Sequence, residues 1–159
     1  MIAWLTQTTI GKLLATFFIS MVPVVELRLG LPYGIALGLN YWLALWASVL
    51  GNMLPVPFIL LFVDKVFEIL KRMGGKFEAF ALWLEKKAYR NQEKIEKYKV
   101  FGLLIFVAIP LPGTGAWTGA MAASVLGISK KKSILSILAG VIIAGFIMTA
   151  VSYGFKSIL

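Results

Sequence analysis

Two opposite charges in an otherwise uncharged hydrophobic stretch constrain this chain more than any other feature. Across residues 13–63 the only charged side chains are Glu26 and Arg28, which lie close together in the chain. A charge at the centre of a bilayer costs about 2.5–3.5 kcal/mol on insertion scales, so it is rare there and usually functional. Pro23 and Pro32 flank the pair, and proline interrupts a continuous helix. We therefore predict a re-entrant turn that holds an acid and a base near the middle of the membrane.

The composition indicates that lipid surrounds most of the chain. Hydrophobic residues make up 60% of the 159 residues, and the mean hydropathy is +0.88, whereas a soluble domain is about 45–50% apolar. The apolar residues come in long runs rather than in short alternating strands, which favours helices over a β-barrel. We expect residues 1–159 to form a single all-α integral membrane domain.

The residue types that the sequence lacks exclude several chemistries. There is no cysteine and no histidine, which removes disulfides, thiol chemistry, the usual zinc sites and Ser-His or Cys-His catalysis. Residues 113–115 do not make a nucleotide-binding fingerprint, which needs more glycines after a strand. We therefore expect no enzymatic activity, no cofactor and no metal. The net charge of +9 indicates membrane topology and contact with anionic lipids rather than nucleic acid.

Two stretches are long and apolar enough to cross a membrane. Residues 41–63 begin with aromatic side chains suited to the membrane interface. We expect Pro55 and Pro57 to kink this first span or to end its helix early. Residues 133–155 form the second span, which is rich in small residues that allow close helix packing.

The other apolar stretches are too short to span, since a spanning helix needs about 20 residues. Residues 13–25 are expected to form a half-helix or a tilted, partly interfacial helix, with residues 29–40 as the returning arm of a hairpin. Residues 100–109 and 116–127 flank a Pro/Gly-rich turn at 110–115 in the same manner. The sequence thus predicts two re-entrant helical hairpins.

Residues 64–99 differ in character from the rest of the chain, because they carry most of the basic residues and every acid except Glu26. The apolar residues within this segment recur at helical spacing and are Leu70, Phe77, Phe80, Ala81 and Leu84. This pattern predicts amphipathic helices with a break at Gly74 and Gly75. The positive-inside rule places the segment in the cytoplasm.

A short sequence occurs twice, at Ala47–Gly51 and at Ala123–Gly127. Each copy follows a Pro/Gly-interrupted segment, although the first copy lies inside a span and the second precedes one. We expect a first repeat over residues 1–63 and a second over 100–159. Interrupted hydrophobic segments in both halves are typical of inverted-repeat transporters. With 64–99 in the cytoplasm, the two hairpins would enter from opposite faces and meet in the middle. The alternative is a plain four-span protein with the charged pair in an ordinary first helix.

The charged pair is the leading candidate for chemistry. Glu26 could bind and release a proton or contact a substrate, and the alternative is a structural pair with Arg28. Positions two apart on a regular helix do not face each other, so this pairing requires a broken backbone or a partner from the other half. Arg28 carries a fork of donors suited to phosphate or carboxylate, and half-helix N-termini would add positive charge. The alternative for Arg28 is an anchor at the lipid headgroups.

The turn at 110–115 could cradle a substrate through its backbone amides and a threonine hydroxyl, or serve only as the tip of a hairpin. Asn52 is expected to bond a neighbouring helix. The candidate substrate- and proton-binding residues are Glu26, Arg28, Pro32, Pro110, Pro112, Gly113, Thr114, Gly115, Trp117 and Thr118.

Two motifs carry a family resemblance. ELRLGLPYGIALGLN at 26–40 and FVAIPLPGTGAWTGAMAASVLG at 106–127 resemble the small multidrug export protein family of bacterial and archaeal membrane proteins. The family pattern is an acid-Leu-Arg-x-small-x-Pro run followed by Pro-x-Pro-Gly-Thr-Gly, and Leu29 stands where the family commonly has Gly. The resemblance covers most of the chain and implies a transporter in the plasma membrane of a prokaryote.

The layout also resembles the DedA superfamily, whose members have paired re-entrant hairpins and are implicated in moving polyprenyl-phosphate lipids. Those members carry additional charges near the second hairpin, whereas residues 100–129 here hold none. The small multidrug resistance transporters also have one membrane glutamate, but it lies on a regular helix, so we exclude that relation.

The leading interpretation is a membrane transporter that exports a small or amphiphilic substrate in exchange for protons. Glu26 would exchange the proton, Arg28 and the 110–115 turn would bind the substrate, and the two hairpins would alternate access. One alternative is a DedA-like lipid flippase, and another is a structural or scaffolding membrane protein without flux. Four short hydrophobic elements hardly enclose a sealed pathway, so we expect a homo-oligomer.

Overall fold

The computed structural model describes residues 7–72, 74, 75, 79, 82, 83, 92–111 and 113–158. Within these residues the chain is helical and contains no strand. The helices are α1 (Thr9–Met21), α2 (Glu26–Ala36), α3 (Tyr41–Met53), α4 (Pro55–Arg72), α5 (Gln92–Ala108), α6 (Ala116–Val125) and α7 (Lys130–Ile158).

Two of the described helical stretches are long and apolar enough to cross a membrane, Tyr41–Val66 and Lys130–Ser152. The first joins α3 to α4 through Leu54, which keeps helical backbone angles and donates to the Leu50 carbonyl. Pro55 begins α4 and lacks the N–H that would continue the ladder, so α3 ends just before this proline. These two stretches confirm the expected all-helical chain with two candidate spans.

Each span is preceded by a shorter helix pair with an interruption. In the first pair α1 has 13 residues and α2 has 11. In the second pair α5 has 17 residues and α6 has 10. At about 1.5 Å per residue, α1, α2 and α6 are each shorter than the roughly 30 Å hydrocarbon core. We call α1–α2 the first hairpin and α5–α6 the second hairpin.

The two hairpins pack on different parts of the two long helices. Both arms of the first hairpin contact α3, and α2 also contacts α7. In the second hairpin α5 packs mainly on α7, and α6 packs on α4 and α7. The hairpins therefore pack on α3 and α4 in turn, and the start of α2 bonds to the turn between α5 and α6 and to the start of α6.

The two identical pentapeptides do not occupy equivalent places in the structure. Ala47–Gly51 lies inside α3, whereas Ala123–Gly127 covers the end of α6 and the following turn. The structure instead pairs the turns after α2 and α6, in which Gly38 and Gly127 have φ angles of 81° and 66°. In both turns the glycine follows a leucine in the helical region and precedes a buried apolar residue. The turns at Gly38 and Gly127 thus end their helices with the same backbone conformation.

The separation in sequence between Gly38 and Gly127 also relates other pairs of similar positions in the two halves of the chain. Val24 has a φ of 72° in the first interruption, and Gly113 has a φ of 84° in the second. Gly51 of α3 lies against the backbone of Phe17 in α1, and Gly140 of α7 lies against the Leu104 carbonyl in α5. In both halves a glycine of the long helix therefore admits the first helix of the hairpin at close range.

The segment 64–99 is described only in part. α4 continues through Asp64 to Arg72, and α5 begins at Gln92 and continues into the apolar residues 100–108. Gly74 and Gly75 both have positive φ angles, in agreement with the expected break. The positions Phe77, Phe80, Ala81 and Leu84 of the predicted amphipathic pattern, and the side chain of Leu70, lie outside the described residues.

The glycine contact at Gly51 generates a stability prediction. A Cβ at this position would overlap the Phe17 carbonyl, which is backbone and cannot rotate away. We expect Gly51→Ala to lower the free energy of unfolding by about 1–3 kcal/mol, the usual cost of overpacking. The readout is thermal unfolding in detergent micelles, followed by the fluorescence of the tryptophans.

Gly102→Ala is the matched control, because this helical glycine is exposed and no atom lies within 4 Å of its added Cβ. It should melt at the same temperature as the parent or slightly higher, since alanine favours helix over glycine by about 1 kcal/mol. Equal melting of the two variants would show that α1 and α3 are not in close contact.

Candidate functional site

The first interruption is a strained turn between α1 and α2. α1 ends at Met21, and α2 begins at Glu26. Val24 has a φ of 72° and Glu26 a φ of 48°, a region that a β-branched side chain enters only as an outlier. Such conformations cost about 1–3 kcal/mol each and occur mainly at functional sites. The turn changes the direction of the chain just before the acid and the base.

Glu26 is buried and connects the first hairpin to the second. Its residue exposure is 3%, one carboxylate oxygen lies 2.7 Å from Arg28 Nη1, and the other accepts a hydrogen bond of 3.2 Å from the backbone N–H of Trp117. Trp117 is in the first turn of α6, where N–H groups lack partners inside the helix. The carboxylate therefore satisfies the N-terminus of a helix from the other half of the chain.

Arg28 reaches the opposite end of the second interruption. Its Nη2 donates to the Ile109 carbonyl at 3.2 Å and to the Thr114 hydroxyl at 3.0 Å. Ile109 immediately follows the last residue of α5, where helix carbonyls lack partners. The cation thus lies at the negative end of α5, while Glu26 lies at the positive end of α6.

The pairing of Glu26 with Arg28 occurs where the backbone is not a regular helix, as the spacing of the two residues in the sequence requires. Two residues at this spacing do not face each other on a regular helix. Here Glu26 has a positive φ, so the backbone is broken at the acid, and both side chains also bond to the second half.

Trp117 makes the reciprocal contact from the second hairpin to the first. Its indole Nε1 donates to the Met21 carbonyl at 3.1 Å, at the C-terminus of α1. Arg28 and Trp117 occupy equivalent positions under the offset that relates Gly38 to Gly127. Each of them therefore donates from one hairpin to the carbonyl at the end of the first helix in the other.

The second interruption is organised by two threonines and a glycine. The Thr114 hydroxyl accepts from Arg28 and lies 2.7 Å from the Ile109 carbonyl, to which it can donate. The Thr118 hydroxyl accepts from the Gly115 N–H at 2.9 Å and closes the start of α6. A Cβ on Gly115 would overlap the carboxylate of Glu26. Glycine is therefore required there because the acid occupies the space of a side chain.

A cavity of about 490 Å³ opens between the two interruptions. Its walls include both charged residues, the first turns of α6 and several apolar side chains. The lining side chains outside the ion pair include Pro23, Val24, Thr114, Trp117, Thr118 and Met121. The cavity thus combines one ion pair with a largely apolar wall.

The structure brings together most of the residues that the sequence singles out. Glu26, Arg28, Thr114, Gly115 and Trp117 are in mutual contact, and Gly113 and Thr118 line the cavity.

Other predicted residues lie apart from this contact. Pro110 is half-buried beside the turn and is not among the residues that line the cavity. Pro112 lies outside the described residues. Pro32 lies inside α2 rather than at a helix end, so the expectation that it helps to break this helix is wrong. Only the Arg28 carbonyl loses its partner at this proline.

Sequence reasoning missed Val24 and Met121 in the cavity wall and the carbonyls of Met21 and Ile109 as acceptors. Main-chain acceptors leave no residue-type signal in a sequence. Val24 also leaves none, because valine rarely adopts a positive φ.

These features define a class of protein: an all-helical membrane protein in which a buried acid and its partly buried arginine partner are held between interrupted helices. Residues 26–147 match the family described as "Putative small multi-drug export protein", and the chain belongs to this family. The match begins at Glu26, directly after the first interruption, and runs through the ion pair, the second interruption, α6 and most of the apolar part of α7. The family description indicates a transporter-like role. No curated protein and no solved structure matches the chain.

Removal of one member of the ion pair is expected to destabilise the protein. Glu26→Ala would leave the guanidinium of Arg28, whose side chain is 13% exposed, without its counter-charge. We expect the free energy of unfolding to fall by about 3–5 kcal/mol, as for other buried pairs that lose one partner. Thermal unfolding in micelles measures the change.

The double variant Glu26→Ala/Arg28→Met provides the comparison. Removing both charges avoids the unpaired cation, so the double variant should be more stable than Glu26→Ala alone. A double variant that is less stable than the single one would mean that Arg28 acts mainly through Ile109 and Thr114 rather than through Glu26.

Proposed function

We propose that the protein is a proton-coupled membrane exporter in which the two hairpins alternate access to a cavity between their tips. One observation carries this proposal: the acid and base of the first hairpin bind both ends of the second interruption beside a cavity of about 490 Å³. Charged groups inside a membrane that face a cavity are typical of substrate and proton pathways.

Protonation of Glu26 supplies the coupling step. A neutral carboxyl group attracts Arg28 less strongly and is a poorer partner for the positive end of α6. Binding of a proton therefore weakens both attachments that the residue makes between the halves of the chain. The hairpins then separate more easily, and loss of the proton restores the attachments.

The substrate is a small or amphiphilic molecule. Val24, Trp117 and Met121 give the cavity an apolar wall, and Val24 is 79% exposed at its edge. Arg28 and Thr114 supply the polar contacts. An amphiphile that lies in the bilayer could enter at this edge with its polar group towards Arg28.

Opposed, inverted hairpins are the topology that we propose for this mechanism. The hairpins pack on α3 and α4 in turn, and the start of α2 bonds to the turn between α5 and α6. The positive-inside rule then places 64–99 and the Lys130–Lys132 cluster in the cytoplasm of a prokaryotic cell. A homo-oligomer would seal the pathway, since each chain contributes few transmembrane elements.

A DedA-like flippase for polyprenyl-phosphate or other lipids is the second candidate. The observation that favours it is the combination of a guanidinium with an apolar cavity edge, which suits an anionic headgroup on a lipid chain. A scaffolding protein without flux is the remaining alternative, and it requires no opening of the cavity.

Asn40 after α2 and Ser129 after α6 are exposed and occupy equivalent positions, so labelling at these residues reports the topology of the two hairpins. Asn40→Cys and Ser129→Cys would each introduce the only thiol in a cysteine-free chain. We expect a membrane-impermeant maleimide to label Asn40→Cys only from outside and Ser129→Cys only from the cytoplasmic side of oriented vesicles. Labelling of both from one side would contradict opposed hairpins.

The proposed proton coupling requires Glu26 but not Glu68. In proteoliposomes with an imposed pH gradient, the parent protein should move anionic amphiphilic dyes such as anilinonaphthalene sulfonate, and Glu26→Gln should reduce this flux to that of empty vesicles. Glu68→Gln is the matched control, because Glu68 is an exposed acid on α4, and it should retain full flux.

The same vesicles distinguish the alternatives. Movement of a fluorescent lipid phosphate without movement of dyes would favour the flippase. Absence of flux for dyes and lipids alike, in a folded parent protein, would favour the scaffold and overturn the proposed transport.

A further inference from the structure

A second, smaller cavity lies against the ion pair on the core side of the molecule. It is narrow, with room for at most about one water molecule. Glu26, Arg28 and Gly115 are in the walls of both cavities. The small cavity adds residues from the long helices, among them Asn52 of α3 and Val141 of α7.

Two polar atoms of this cavity wall are buried without a partner. Asn52 Oδ1 and Arg28 Nε make no hydrogen bond to any group in the described part of the chain. Asn52 is 3% exposed, so water from the surface does not replace the missing partner. The expected bond from Asn52 to a neighbouring helix is thus absent at this oxygen. Leaving such a group unsatisfied costs about 1–3 kcal/mol.

The two unpaired atoms have complementary chemistry. Arg28 Nε carries a hydrogen to donate, and Asn52 Oδ1 has lone pairs to accept. A cation in the cavity would face the guanidinium, and an anion would face the carboxylate of Glu26 and the amide oxygen. Among small species, only a neutral molecule that both accepts and donates matches this wall.

We propose that the small cavity binds one internal water molecule, which accepts from Arg28 Nε and donates to Asn52 Oδ1. Its second hydrogen is available to the carboxylate of Glu26. The water ties α3 to the ion pair and makes Asn52 a positioning residue for Arg28. This inference is independent of the proposed transport, since a scaffold with the same fold would hold the same water.

X-ray radiolytic footprinting in H₂¹⁸O tests the proposal on the full chain in detergent micelles. Radiolysis of a bound water oxidises the side chains beside it, even where radicals from bulk solvent cannot reach. Leu27, Val107 and Val141 line the cavity and are each 1% exposed. We expect ¹⁸O label at these three residues in the parent protein, detected by mass spectrometry of peptides.

Asn52→Leu removes the acceptor, and its label at these residues should fall to background. Ser48→Ala is the matched control, because Ser48 is also buried on α3 with an unpaired hydroxyl but is not in the cavity wall. This control should keep the label. Tryptophan fluorescence melts would verify that each variant is folded.

Ala144→Val provides a second route that keeps every polar group. Ala144 lines the same cavity from α7, so an added side chain occupies the space of the water and should also remove the label. An unlabelled parent protein, or a label that persists in both folded cavity variants, would overturn the proposal.

Discussion

The structure depends on the attraction between two side-chain charges and the ends of two helices. Glu26 lies at the N-terminus of α6, and Arg28 lies at the C-terminus of α5, so each charge meets the helix end of opposite sign. Backbone groups that are freed by an interrupted helix are costly in lipid unless a partner inside the protein satisfies them. The ion pair supplies these partners, and its own charges are thereby kept away from lipid.

Each half of the chain donates a side-chain hydrogen bond to a helix end in the other half. Arg28 donates to the end of α5, and Trp117, at the equivalent position, donates to the end of α1. Glycines make the required approach feasible: Gly115 leaves space for Glu26, and Gly51 admits the backbone of Phe17. Helices in lipid associate through such close packing and through polar contacts, because burial of apolar surface gains little there.

Local sequence properties were sufficient to predict the elements of the fold. The two spans, the short arms and the positions of the interruptions follow from hydropathy and from proline and glycine. The need for a broken backbone at the Glu26–Arg28 pair followed from helix geometry. The two copies at Ala47–Gly51 and Ala123–Gly127 differ in structure, in agreement with their different positions relative to the two spans. The equivalent turns share backbone angles that no identical sequence encodes.

The sequence by itself determined that this chain is a helical membrane protein with one acid and one base in an otherwise uncharged apolar stretch, since these properties depend on the residue types alone. The tertiary structure decided which groups these charges meet. The acceptors at Ile109 and Met21 are carbonyls that every residue possesses, and Asn52 shares a cavity wall with the ion pair only because of how α3 packs. Such contacts depend on how the hairpins lie along the long helices, and no local pattern in the chain records that arrangement.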